Sequence, residues 1–176
     1  MSLARSLIAL SLLLTACPSD DTDTSDTETD TDDTDTSTED PAIVGSWVST
    51  GDDVSPLFQT ETFDYTTITA DFASDGTYEV AATNGGGTTT TFTGTYTVGT
   101  GDPATITLEQ SAPSTATAVG IWSVADDAGT TTLTYEVVQT VPDFGFTPPT
   151  PETGFGSTSG PGLEADVNIQ IFRAAE

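Results

Sequence analysis

Almost every side chain in this sequence that could do chemistry is a carboxylate. The 176 residues include 28 Asp and Glu against two Arg, with no Lys and no His, for a formal charge of −26. A carboxylate pair of the kind that hydrolyses glycosides is the one catalytic arrangement such a chain can supply. Acids this abundant come together without purpose, however. Most of them, including Asp52, Asp53, Asp126 and Asp127, sit at turn positions where solvation and turn geometry account for them. Other chemistries lack parts. Triads need His, and zinc or iron sites need His or Cys ligands, of which only the single Cys17 exists. Nucleic-acid binding needs a basic patch, and after Arg5 the only cation is Arg173. The expectation is therefore no enzyme, no cofactor, no metal and no nucleic-acid partner.

Cys17 has a different explanation. It follows Leu7-Ile8-Ala9-Leu10-Ser11-Leu12-Leu13-Leu14, an apolar run behind Arg5. The run is too short to span a bilayer and has the length of a signal-peptide core. An ordinary cut after Ala16 would place bulky Leu14 where a small residue is wanted. Leu14-Thr15-Ala16-Cys17 instead resembles the lipobox of bacterial lipoproteins. The resemblance implies removal of residues 1–16, a diacylglyceryl group on the Cys17 sulfur, and the membrane as a partner. Several acyl chains on one residue anchor firmly. Pro18 stands where an Asp would retain such a protein at the inner membrane, so the expected location is the cell envelope, at the outer membrane, facing the periplasm or the surface.

Residues 17–41 are expected to form a tether. The run SDDTDTSDTETDTDDTDTSTED from Ser19 to Asp40 offers nothing apolar to bury and repels itself. Fully stretched, at about 3.3–3.6 Å per residue, it reaches roughly 70–80 Å. It has no Gly for the sharp turn of a calcium loop, so at most it attracts divalent cations diffusely.

Residues 42–176 change character to Thr, Val, Ile, Tyr and Phe, divided by Gly, Asp, Asn and Pro. Phe92, Gly94, Tyr96 and Val98 alternate with Thr; so do Ile106 and Leu108, and Leu133, Tyr135 and Val137. Period-two alternation marks half-buried antiparallel strands, expected at 45–50, 62–73, 77–83, 88–98, 104–111, 115–125, 130–141 and 166–174. The segments 74–77, 84–87 and 126–129 read as tight hairpins, and Gly94 as a bulge that curves its strand. An apolar interior is the wrong polarity for a membrane-spanning barrel. Sequential strands with hairpin links suit an all-β, eight-stranded antiparallel up-and-down barrel, with a two-sheet β-sandwich as the alternative. With no disulfide and so much charge, a monomeric domain of this kind should gain stability with ionic strength, seen as a Tm that rises on adding salt.

Ile43-Val44-Gly45-Ser46-Trp47 resembles the Gly-x-Trp opening strand of lipocalin-like domains. Phe72-Ala73-Ser74-Asp75-Gly76-Thr77-Tyr78 is similar to their hairpin, and Phe92-Thr93-Gly94-Thr95-Tyr96 to their mid-barrel strand. The resemblance implies that an Arg from the last strand packs across the Trp and closes the base. Arg173 shares its alternation phase with Val167, Ile169 and Ile171, which is expected to be the inward one, so Trp47 and Arg173 should stack.

In such a meander the first and seventh connections lie side by side at the end opposite Trp47. The seventh, 142–165, is long and rich in Pro and Gly, and carries Phe144, Phe146 and Phe155; the first carries Phe58. These four are the expected mouth of a barrel that holds a small apolar ligand, with Tyr78, Tyr96, Trp122 and Tyr135 inside. The alternative is a solid barrel whose loops meet a protein or glycan at the cell surface.

Overall fold

The alternation of apolar and hydroxyl residues resolves, in a computed structural model that describes residues 40–175, into eight strands. They are β1 (Gly45–Thr50), β2 (Tyr65–Phe72), β3 (Thr77–Asn84), β4 (Thr89–Val98), β5 (Ala104–Ala112), β6 (Ala116–Asp127), β7 (Thr130–Val141) and β8 (Gln170–Ala174). Each pairs antiparallel with the next, and β8 pairs with β1, so the sheet closes as a barrel and not as a sandwich. The leader, Cys17 and the tether up to Glu39 lie outside the described residues. Among the described residues no helix is long and apolar enough to cross a membrane. Among the described residues the ladders close on themselves around one core, and Thr38–Glu176 is one compact unit, so this part has what it needs to fold by itself.

The hairpins form for the reasons their residues suggest. Asp127 pairs with Thr130, leaving Ala128 and Gly129 as a two-residue turn with φ of 49° and 87°. Positive φ at both positions matches the twist of the flanking strands, which is why Gly sits there. At Asp75 the side chain accepts the Thr77 N–H at 2.9 Å and the Thr77 hydroxyl at 2.7 Å, fixing the β2–β3 turn. Gly94 marks a register shift between β4 and β5, and a Cβ there would lie 2.1 Å from the Glu109 carbonyl oxygen. The strand bends at that bulge because only Gly permits the approach.

The inward faces of the strands make one core. Trp47, Tyr96, Ile106, Trp122, Leu133 and Phe172 are all buried in it. Trp47 donates its indole N–H to the Ile43 carbonyl at 2.8 Å, and Trp122 donates to Thr105 at 3.2 Å, so neither buried ring strands its polar atom. Tyr96 donates to the Ala73 carbonyl at 2.8 Å.

The expected stacking of Arg173 on Trp47 does not occur. The two sit on paired strands at the same end, Trp47 opposite Ala174 and Val48 opposite Arg173, but β8 has the opposite phase. Asn168, Gln170 and Phe172 point inward, while Val167, Ile169 and Ile171 are only partly buried and Arg173 faces out, its side chain 51% exposed. Arg173 instead forms a two-pronged ion pair with Asp53, Nε to Oδ2 at 2.7 Å and Nη2 to Oδ1 at 3.1 Å. Solvent screens such a pair, so Arg173→Ala should move the Tm very little, and a large drop would contradict its place on the outer wall.

A polar seam replaces the expected closure. The β1–β8 ladder has two residue pairs, extended at the base by the Ala175 N–H, which bonds to the Ser46 carbonyl at 2.8 Å. Beyond them the buried Gln170 amide donates to the Ser49 hydroxyl and, at 3.1 Å, to the Asp53 carbonyl. Its carbonyl accepts the Ser55 N–H at 3.0 Å, and Leu57 N–H bonds to the Val167 carbonyl at 2.9 Å. The first and seventh connections therefore do lie side by side. They are also why β2 and β8 start three and four residues later than the sequence suggests, Asp64 and Asp166 both turning the chain with positive φ.

Candidate functional site: an apolar cavity in the barrel

Small residues inside a ring of aromatic ones leave space that no side chain fills. Ala70, Ala82, Ala116 and Ala118 line it, and the result is a cavity of about 230 Å³. Its floor is aromatic: Phe72, Tyr78, Tyr135 and Phe172. Tyr135 lies between Phe72 and Phe172, with ring centroids 6.3 and 6.1 Å away, and the Tyr96 ring beneath meets Phe72 edge-on at 5.1 Å. Ile68, Val80, Leu108 and Val137 make the walls. The mouth carries Phe58, Phe63, Tyr65 and Phe92, with Gln110 and Gln139. Phe58 meets Phe63 edge-on at 5.6 Å, and Tyr65 closes the trio at 6.0 and 5.8 Å.

Of the four expected mouth residues, Phe58 is there and the other three are not. Phe144 is 58% exposed, and Phe146 lies against Gly160 within its own loop, beside the Thr147–Ser159 bridge. Phe155 is half-buried away from the cavity. The cause is a buried carboxylate. Glu136 projects from the outer face of β7 and accepts the Gly156 N–H at 2.6 Å, the Thr158 N–H at 3.0 Å and the Thr158 hydroxyl. Ile121, its cross-strand partner on β6, and Val138 are buried on that same outer side. The loop at 142–165 thus seats on the outside of the wall, held by charge-assisted hydrogen bonds and apolar contact, and leaves the mouth to the first connection.

Of the four residues expected inside, Tyr78 and Tyr135 line the cavity, whereas Tyr96 and Trp122 belong to the packed base. The sequence held signals for some lining residues that the mouth assignment passed over. Gln110 continues the phase of Ile106 and Leu108, and Gln139 that of Leu133, Tyr135 and Val137. Phe63 had none, since it reads as the start of β2 and becomes a rim residue only through the turn at Asp64.

The lining is uncharged. None of the lining residues is Asp, Glu or Arg, and among the described residues no three Asp, Glu, His or Cys gather to hold a metal. Burial pushes the Tyr135 hydroxyl far above the ordinary tyrosine range, with a smaller push from Tyr78. Burial also raises Tyr78, helped by the Glu109 charge. In the unfolded chain such hydroxyls ionise near pH ~10. Above that, the unfolded chain has released protons that the native state keeps, so stability falls as pH rises. We expect a Tm that is flat through neutrality and drops steeply beyond pH ~10, with a shallower drop in Tyr135→Phe; a Tm unchanged up to pH ~11 would contradict the burial of these groups.

No family model, curated protein or solved structure matches this chain.

Proposed function

We propose that the protein is a lipid-anchored, lipocalin-like binding module of the bacterial cell envelope, tethered through Cys17, whose barrel holds a small apolar ligand. The observation that carries the binding reading is the cavity of about 230 Å³ with an aromatic floor and no charged lining residue. Its size lies between an engineered space of about 150 Å³ that takes benzene and the roughly 300–1,000 Å³ of drug-sized sites. A ligand that binds the folded barrel and not the unfolded chain would add to its stability by mass action. The alternative, a module acting only through its surface, presumes a filled barrel; the open space counts against it, although Val141 and Phe144 stand exposed at the foot of the long loop.

The test of binding is thermal: residues 40–176 titrated with toluene should show a Tm that rises with ligand concentration. No shift up to saturation would overturn the binding reading. The anchor is tested separately, since Cys17→Ala should move the protein from the membrane fraction to the soluble one.

A further inference from the structure

We infer that the cavity selects an uncharged molecule, a single ring or short chain bearing one hydroxyl or carbonyl that meets the Tyr135 hydroxyl, and that it rejects the corresponding carboxylate. This rests on the binding reading above and narrows it to a chemical class.

The polar atoms facing the space decide the charge. At the mouth the amide nitrogens are turned away: Gln110 donates to the Ser114 carbonyl at 2.7 Å and Gln139 to the Pro142 carbonyl at 3.3 Å. Asn168 likewise donates to the Val137 carbonyl at 2.9 Å, and the Gln170 amide is spent on the seam. The Gln110, Gln139 and Asn168 side-chain oxygens accept no hydrogen bond among the described residues and so offer the negative ends of their dipoles, whereas the Gln170 oxygen is taken by the Ser55 N–H. An entering anion would meet these with no cation to pair it, because Arg173 is outside the wall and bound to Asp53. A carboxylate taken unpaired from water into an apolar space is strongly disfavoured, and the acidic chain adds long-range repulsion. An ammonium finds a friendlier field but equally lacks a carboxylate in the lining.

The floor supplies a complementary donor. The Tyr135 hydroxyl makes no hydrogen bond among the described residues, and since no fully buried side-chain polar atom there lacks a partner, it remains reachable from the cavity that Tyr135 lines. A hydroxyl that borders a mostly apolar space without a protein partner is free to donate to a ligand oxygen placed beside it. At about 30 Å³ per water-sized group the space accommodates roughly eight such groups, which suits one substituted ring.

The experiment compares toluene, benzyl alcohol and benzoate at pH 7, by calorimetry on residues 40–176 and on Tyr135→Phe. Benzyl alcohol should bind best, and benzoate at least about tenfold more weakly. In Tyr135→Phe the advantage of the alcohol over toluene should vanish while toluene binds as before, which also shows that the variant is folded. Benzoate binding as tightly as the alcohol would overturn the selectivity and leave the binding reading standing. Equal affinity of alcohol and toluene in the unmodified protein would overturn the role of Tyr135. Failure of all three to bind would overturn the binding reading itself.

Discussion

Gln170→Leu is expected to destabilise the barrel by about 3 kcal/mol, although Leu is close in size and apolar. Gln170 is buried and holds the seam where the β1–β8 ladder is shortest. Removing its amide strands the fully buried Ser49 hydroxyl, the Ser55 N–H and the Asp53 carbonyl, each of which loses a partner it has now. A buried polar group left unpaired costs about 1–3 kcal/mol. The gain from a few more buried carbons, about 1 kcal/mol, is too small to offset two or three of these. Urea unfolding should show a lower midpoint with an unchanged slope, since the same surface is exposed on unfolding. A midpoint equal to that of the parent would mean that the two connections close the seam without Gln170.

Glu136→Ala is the second large effect, again about 3 kcal/mol, but with a local signature. The carboxylate is buried on the outer wall and accepts three hydrogen bonds from two residues of the long loop. Without it, the Gly156 and Thr158 amides have no acceptor, and the loop loses its hold over Ile121 and Val138. Hydrogen exchange should report lost protection at Gly156 and Thr158 well beyond any loss in β3 or β4, because the loop detaches before the barrel opens. A protease should then cut within 142–165. Unchanged protection at those two amides would show that apolar contact alone seats the loop.

Much of this architecture could be read from local pattern. In β4 and β5 the apolar residues fall on alternate positions, and Phe92, Tyr96, Val98, Ala104, Ile106 and Leu108 point into the core. The hairpin at 126–129 needed two positive φ values and had Gly for one of them. Even the barrel's handling of Gly94 followed from a missing side chain inside a strand.

β8 is where pattern misled. Val167, Ile169 and Ile171 are three β-branched residues in one phase, and they outweighed the single Phe172 in the other. The interior took Asn168, Gln170 and Phe172 because polar partners waited there, on Ser49, Asp53, Ser55 and Val137, far away in sequence. A buried amide is stable only when such partners exist, and a one-residue change of phase moves every side chain to the other face. Arg173 went outward with that change, to Asp53. The long loop shows the same thing. Ile121 beside Trp122 and Val138 beside Val137 break the alternation of β6 and β7, a sign that both faces of those strands are covered.

The sequence by itself determined the strands, their order, the tight turns and the exclusion of chemistries that need His, Lys or more than one Cys, since each of these depends on residue type and near-neighbour spacing. Tertiary structure alone decided which phase of β8 is inside, where the long loop rests and that the barrel has room in it. Those depend on hydrogen-bond partners from 20 to more than a hundred residues apart and on how alanines and aromatic rings from many strands share one volume, and neither is a property of any local segment.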